Sequence, residues 1–163
     1  MHGALQLARA AAVRLNAPLS DIGEPEPAKT LGWRESLAKA APYLHEAARH
    51  IDQIMRRHRL PFIFANRCGT SLATIMVMLR HRPDAKIVWF DAHGDFSTPE
   101  TTPTGYLGGM VLSALCGLWE SGFDAGLSPD RIILAGTRDL DPGEAKLIAA
   151  HGVRVIAAKD GAV

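Results

Sequence analysis

The sequence predicts an α/β fold, in the form of a three-layer α/β/α sandwich built on a central parallel sheet. Short apolar runs of strand length alternate with longer segments whose apolar residues recur at helical spacing. Strands and helices that alternate in this way form βαβ units, in which helices cover both faces of a parallel sheet. At 163 residues the chain has the size of one domain, so we expect a single domain over residues 1–163.

The first half of the chain predicts three helices and two strands. An opening helix over 1–18 carries arginines within its apolar stretch, which is typical of an amphipathic helix and not of a signal peptide. A proline-rich irregular stretch leads to a helix over 33–58, where Pro42 marks either a kink or a late start. A strand over 62–65, a helix over 69–83 and a strand over 86–90 follow. The strand over 86–90 does not alternate, so we expect both of its faces to be buried.

The second half predicts two further helices and two further strands. Residues 94–105 are expected to form a loop, followed by a helix over 106–121 despite its glycines. A strand over 132–136 precedes a helix over 141–152, which Gly152 would close as a C-terminal cap. A last strand is expected over 153–159.

Composition excludes several classes of protein. The formal net charge of +1 attracts neither nucleic acid nor acidic lipid, so neither is expected as a partner. No apolar run reaches the roughly 18 residues that a membrane helix needs. Two cysteines, Cys68 and Cys116, are too few for a disulfide framework and fit a reducing compartment. We therefore expect a soluble, cytoplasmic protein.

Three polar clusters follow predicted strands, at residues 66–71, 91–95 and 137–144. Ligands of open α/β sheets bind outside the carboxyl ends of the strands, so these clusters are expected to line one crevice. In the middle cluster, Asp-Ala-His-Gly-Asp, an extended chain would turn Asp91, His93 and Asp95 to one side. Two carboxylates and an imidazole suit Mn²⁺, Fe²⁺ or Zn²⁺. The alternative is a helix cap with a hydrogen-bonded loop.

Cys68 lies in the first of these clusters, after the strand over 62–65. As a buried thiol it would act as a small hydrophobic residue. Beside a cation it would instead act as a thiolate ligand.

The segments IVWFDAHGDFSTPETTPTG and RDLDPGE resemble the ureohydrolase superfamily of arginases, agmatinases, formiminoglutamases and hydroxyarginine hydrolases. The resemblance implies an arginase-like α/β/α sandwich and a site for two Mn²⁺ ions. It also implies hydrolysis of a C–N bond in a guanidino or hydroxyguanidino group of an arginine-like amino acid. The implied partners are this small-molecule substrate and further copies of the chain in a homo-oligomer.

The resemblance also assigns roles to individual residues. Asp91 and His93 match catalytic positions, and the implied metal ligands are Asp91, His93, Asp95 and Cys68. Cysteine replaces the usual histidine at position 68, as in the hydroxyarginine-hydrolase branch. Substrate-binding positions are matched by Ser97, Thr104, Asp141 and Glu144. Gly108 stands where arginases place a proton-shuttling histidine.

The resemblance covers the middle of a ureohydrolase and lacks the family's first strand and its C-terminal portion with the last two metal ligands. We therefore expect a truncated, divergent member with impaired activity. The alternative is a non-catalytic remnant or regulatory subunit that retains the fold and weak metal binding. A nucleotide-binding protein is disfavoured, because no Gly-x-Gly-x-x-Gly follows a strand.

Overall fold

The computed structural model describes residues 3–24, 30–123 and 125–158. Within these ranges the chain forms five α-helices and three β-strands. In order they are α1 (Gly3–Leu15), α2 (Trp33–Arg56), α3 (Ser71–His81), β1 (Ile87–Phe90), α4 (Val111–Leu115), β2 (Ile132–Thr137), α5 (Pro142–Ala150) and β3 (Arg154–Ala157). Short 3₁₀ turns precede α3, α4 and β2, at Cys68–Thr70, Leu107–Met110 and Pro129–Arg131.

The strands form a parallel sheet in the order β1-β2-β3. Ile87 pairs with Ile132 at the start of β1, and Phe90 pairs with Ala135 at its end. The register between β2 and β3 is irregular at Gly136, which has a left-handed φ of 83°. Helices connect each pair of parallel strands, as βαβ units require. The predicted α/β fold with a parallel sheet is confirmed.

Helix packing supplies most of the hydrophobic core. Leu44, Ala48 and Ile51 are buried at helical spacing along α2. Helix α3 buries six of its eleven residues because seven of them are apolar. These two helices pack against each other, and α4 packs against α3. The core continues from them to Ile132 and Leu134 of β2. Helix α2 runs without interruption through Pro42.

The strand predicted over 62–65 is wrong. These residues pair with no neighbour among the described strands, and the side chain of Phe62 is 66% exposed. A strand is defined by its partner, and an apolar run alone does not supply one. The expectation that β1 is buried on both faces is also wrong, because Val88 and Phe90 face solvent and Phe90 is 84% exposed.

The helix predicted over 106–121 is much shorter than expected. It consists of a 3₁₀ turn at Leu107–Met110 and the five residues of α4, and Gly117 adopts a left-handed φ of 72° just after it. Gly152 has a φ of 68° directly after the C-cap residue of α5, as a glycine cap requires. The last strand ends at Ala157, and Lys159 lies outside the described residues.

Backbone hydrogen bonds carry the sheet past the ends of β1 and β2. The Asp91 amide donates to Ala135 O over 3.2 Å, and the amides of Arg138 and Asp139 both donate to Ala92 O. The two polar clusters after β1 and β2 are therefore tied side by side at one edge of the sheet. None of the helices in the described ranges is long and apolar enough to cross a membrane.

Candidate active site

A cavity of about 360 Å³ opens at this edge of the sheet. All three predicted polar clusters contribute to its lining, so the expected single crevice is confirmed. Its lining residues are Cys68, Asp91, His93, Asp95, Ser97, Thr102, Thr104, Tyr106, Gly109, Asp139, Asp141 and Glu144. Every residue that the sequence assigned to the site is among them.

Three side chains converge on one point of the cavity. Ligand atoms of Cys68, Asp91 and Asp95 lie within 4.8 Å of one another. Cys68 stands in the 3₁₀ turn before α3, whereas Asp91 directly follows β1. Asp95 reaches the same point because its backbone is left-handed, with a φ of 48°. Thus a local turn, and not an extended chain as the sequence suggested, brings Asp95 to Asp91.

Asp95 is held in an unfavourable electrostatic position. It is buried, and its Oδ2 atom has no hydrogen-bond partner among the described residues. Burial, followed by the neighbouring charge of Asp91, raises the pKa of Asp95 to about 6. Burial and then the charge of Asp95 raise the pKa of the Cys68 thiol to about 12. Each shift reflects negative charge gathered in a poorly solvated space.

These donors fit a divalent cation. Two carboxylate oxygens and one sulfur suit a borderline ion, and a positive charge would offset the repulsion that raises both pKa values. The Oδ2 atom of Asp95, which lacks a hydrogen-bond partner among the described residues, would then coordinate the ion. A second cavity, of about 390 Å³ beside Trp33 and Trp119, offers no such donor group among its described lining residues.

His93 lies at the cavity but outside the group of three converging donors. Its Nδ1 atom lies 3.1 Å from Asp91 Oδ1, and the same oxygen accepts its backbone N–H over 3.0 Å. Its Nε2 atom lies 3.7 Å from Asp139 Oδ2, and the imidazole is exposed. The histidine therefore links the carboxylates that follow β1 and β2.

The loop after Asp95 forms a wall of hydroxyl groups. Ser97 and Thr104, both expected to bind substrate, line the cavity together with Thr102 and Tyr106. The Ser97 amide donates to Gly109 O over 3.0 Å, and its carbonyl accepts a hydrogen bond from the buried Ser113 hydroxyl. The loop is thus fixed from both sides.

The cavity is also lined by acidic groups from the segment after β2 and from the first turn of α5. Asp139, Asp141 and Glu144 line the cavity, with Asp141 at the N-cap of α5. Glu144 is buried, and its Oε1 atom accepts the Phe96 N–H over 2.9 Å. Burial raises its pKa. Glu144 therefore also holds the loop that carries Asp95.

Several site residues had no distinct signal in the sequence. A side chain at Gly94 would collide with Glu144 and Ile148, at 2.9 and 2.8 Å. The ring of Tyr106 occupies the space above Gly108, where the resemblance places a histidine. Ser113 anchors the loop from within α4. The contacts of Gly94 and Ser113 join residues distant in sequence, although the glycines themselves are a sign of close approach.

Known proteins match both the sequence and the fold. The Arginase family model matches residues 6–162. Over 156 residues the chain is 45% identical to the N(omega)-hydroxy-L-arginine amidinohydrolase of Streptomyces lavendulae, covering 96% of this chain and 57% of that protein. It is 28% identical to the arginase of Bacillus caldovelox over 155 residues, which is 87% of this chain and 52% of that one.

Solved structures give the same result. The Bacillus caldovelox arginase structure superimposes with a TM-score of 0.76 at 27% identity, over 95% of this chain and 57% of that one. The Bacillus cereus arginase gives a TM-score of 0.77 at 25% identity, over 95% and 56%. The chain spans about half the length of the curated relatives it matches. The convergent carboxylates after β1, the parallel sheet and these matches agree: the chain belongs to the arginase family.

Proposed function

We propose that the chain carries the metal-binding half of a hydrolase site, which cleaves a C–N bond in the guanidino or hydroxyguanidino group of an arginine-like amino acid. The convergence of Cys68, Asp91 and Asp95, whose ligand atoms lie within 4.8 Å of one another in the cavity lining, is the observation that supports it most directly. The Streptomyces lavendulae relative is named for the hydroxylated substrate, and the Bacillus caldovelox relative is named an arginase.

Mn²⁺ is the metal we propose, held by Asp91, Asp95 and Cys68. When bound it would supply a Lewis acid that acidifies water and polarises the guanidino carbon. The described residues form one three-donor group, which suits a single ion; the predicted second ion would need further donors. Cys68 must lose a proton to bind as thiolate, so its raised pKa favours binding at higher pH.

His93 is the proposed proton carrier of the site. Asp91 Oδ1 contacts both its backbone N–H and its Nδ1 atom, which fixes the imidazole beside the proposed metal ligands. Its other nitrogen faces Asp139 and solvent, so the ring has an open route for exchanging a proton. Moving a proton between substrate and solvent is the role of a general acid or base.

The acidic and hydroxyl groups of the lining would orient the substrate by charge. The cationic guanidino and ammonium groups would face Asp139, Asp141 and Glu144, while the carboxylate would face the hydroxyls of Ser97 and Thr104. A second candidate function is a non-catalytic member that binds one metal ion weakly. The three-donor group favours it, because His93 lies outside that group.

The test is a metal-dependent assay of the purified chain. Turnover of L-arginine, Nω-hydroxy-L-arginine and agmatine is followed with and without Mn²⁺, next to metal analysis. Since the described residues supply three metal donors, we expect slow Mn²⁺-dependent turnover of L-arginine and Nω-hydroxy-L-arginine. The substitution Asp91→Asn should abolish this turnover. The control Asp84→Asn removes an exposed carboxylate outside the cavity and should change nothing.

The other outcomes are also decisive. Bound Mn²⁺ that depends on Asp91 without any turnover would favour the non-catalytic candidate. Neither metal binding nor turnover would overturn both candidates.

A further inference from the structure

The aromatic ring of Tyr106 lies directly over the α-carbon of Gly108. A Cβ atom at position 108 would sit 2.3 Å from Tyr106 Cε1 and 2.9 Å from its hydroxyl oxygen. Gly108 is not among the glycines with a left-handed backbone, so its conformation does not demand glycine. A side chain at position 108 would therefore require the Tyr106 ring to move.

The backbone of Tyr106 is held on both sides. Its N–H donates to Thr104 Oγ1 over 3.3 Å, and its carbonyl accepts the Gly109 N–H over 3.2 Å. The guanidinium of Arg67, the residue before Cys68, lies 5.9 Å from the centre of the ring. These backbone hydrogen bonds hold the phenol at the cavity, and the Arg67 guanidinium places a positive charge near its ring.

The cavity lining combines two kinds of polar group. Five carboxyl groups come from Asp91, Asp95, Asp139, Asp141 and Glu144, and four hydroxyls come from Ser97, Thr102, Thr104 and Tyr106. A carboxylate on a ligand is repelled by the carboxyl groups, whereas a hydroxyl can donate a hydrogen bond to it. The Tyr106 hydroxyl makes no hydrogen bond to another described residue, and the Arg67 guanidinium lies near its ring.

We infer that Tyr106 is a specificity-determining residue, whose hydroxyl donates a hydrogen bond to the carboxylate of an amino-acid substrate, and that Gly108 is required for its position. This inference rests on the proposed function. A ligand with a carboxylate gains a charge-assisted hydrogen bond from the phenol and attraction from Arg67. The same molecule without its carboxylate gains neither, so Tyr106 selects amino acids over decarboxylated amines.

Binding of L-arginine and agmatine, which differ by the carboxylate, tests this directly. Titration calorimetry is done on the Mn²⁺-loaded chain, and Tyr106→Phe keeps the ring while removing the hydroxyl. We expect L-arginine to bind about tenfold more weakly to this variant, with agmatine unchanged. Tyr43→Phe is the matched control, because Tyr43 has a similar exposure, 46% against 42% for Tyr106, and lies outside the cavity. It should leave both affinities unchanged.

A double-mutant cycle tests the role of Gly108. Gly108→Ala should weaken L-arginine binding in the wild-type background by displacing the ring. In a Tyr106→Ala background the three atoms nearest to the added methyl group, all of them in the tyrosine side chain, are gone, so the same substitution should have a smaller further effect. Circular dichroism of each variant separates a displaced ring from a chain that does not fold.

The outcomes distinguish the inference from the function on which it rests. If the wild type prefers L-arginine and Tyr106→Phe retains that preference, or if the wild type binds both molecules equally, the role of Tyr106 is overturned and the proposed site stands. If the wild type binds neither molecule, the proposed function fails together with the inference.

Discussion

Asp95 combines burial, a left-handed backbone and an unpartnered oxygen in one residue. Each of these features is unfavourable in a metal-free protein, since a non-glycine residue with positive φ costs about 1–3 kcal/mol and a buried unpaired oxygen costs a similar amount. Such costs are typical of functional sites, where they persist because a ligand or the surrounding fold offsets them. We therefore expect the proposed metal ion to be coupled to folding through Asp95.

The stability of the metal-free chain should fall as the pH rises from about 4 to 7. The folded protein holds the Asp95 proton up to a pKa of about 6, against an ordinary value of 3.8, so it binds more protons than the unfolded chain in this interval. This stabilising contribution is full below pH 3.8 and is lost as the pH rises through 6. The raised pKa of Glu144 acts in the same direction.

Asp95→Asn should remove the Asp95 part of this dependence. At pH 7 the metal-free variant is expected to be more stable than the wild type by on the order of 2 kcal/mol, with little difference at pH 4. Urea denaturation in the presence of a chelator measures both. An equal free energy of unfolding for the two proteins at pH 7 would contradict the burial of a charged Asp95.

Gly94→Ala should destabilise the chain by about 1–3 kcal/mol through overpacking. The added methyl group would sit 2.8 Å from Ile148 Cδ1 and 2.9 Å from Glu144 Cδ, so α5 must move or Glu144 must release the Phe96 amide. Gly109→Ala, in the same region, meets nothing within 4 Å and serves as the control. Chemical denaturation of both variants checks the prediction, and equal effects of the two substitutions would disprove it.

At the scale of elements, the contact between α2 and α3 supports the turn that carries Cys68. Apolar side chains fill most of this contact, and one polar link, between His81 Nε2 and Asp52 Oδ1 at 2.8 Å, joins the two helices at their carboxyl-terminal ends. The Cys68–Thr70 turn leads directly into α3. Weakening this helix pair should therefore loosen the metal site as well as the core.

Leu72→Ala tests this coupling. Leu72 is fully buried in the first turn of α3, so its truncation is expected to cost about 2–5 kcal/mol. Leu7→Ala makes the same change at an exposed position of α1 and should cost little. Thermal denaturation gives the stability difference, and Mn²⁺ titration should show weaker binding for Leu72→Ala alone. Unchanged Mn²⁺ affinity would separate the site from the helix pair.

At the scale of the whole molecule, large apolar side chains are exposed in two parts of the described surface. Leu60, Phe62, Ile63 and Phe64 are exposed in a segment outside the described strands, and Val88, Phe90, Val155 and Ile156 are exposed on the outer strands. Scattered apolar side chains on a surface are ordinary, but extensive exposure along strands favours association. The predicted homo-oligomer is consistent with this surface and stays a prediction.

We expect the purified chain to self-associate as its concentration rises, because these side chains gain by leaving water. Replacing Phe62 and Phe90 with serine should shift the mass measured by light scattering toward that of the monomer. The control is Val13→Ser, because Val13 of α1 is as exposed as Phe90. This substitution should leave the mass unchanged. A monomer at all concentrations in the wild type would count against the prediction.

The sequence by itself determined the class of fold, the order of most elements and the residues that line the cavity; their roles stay predictions. Those signals are local: helical spacing around Leu44 and Ile51, a glycine cap at Gly152, and polar clusters where parallel strands end. They failed for residues 62–65, because strand formation depends on a partner that composition does not encode.

Tertiary structure alone decided which of the site residues meet. Cys68 joins Asp91 and Asp95 because packing of α3 places its turn at the end of β1, and a left-handed turn at Asp95 replaces the expected extended chain. His93 lies outside that group, and Tyr106 covers Gly108. The physical reason is that the sequence gives the chemical type of each side chain but not the distances between side chains. Donor geometry, burial and shifted pKa values arise from contacts between segments that only the folded chain brings together.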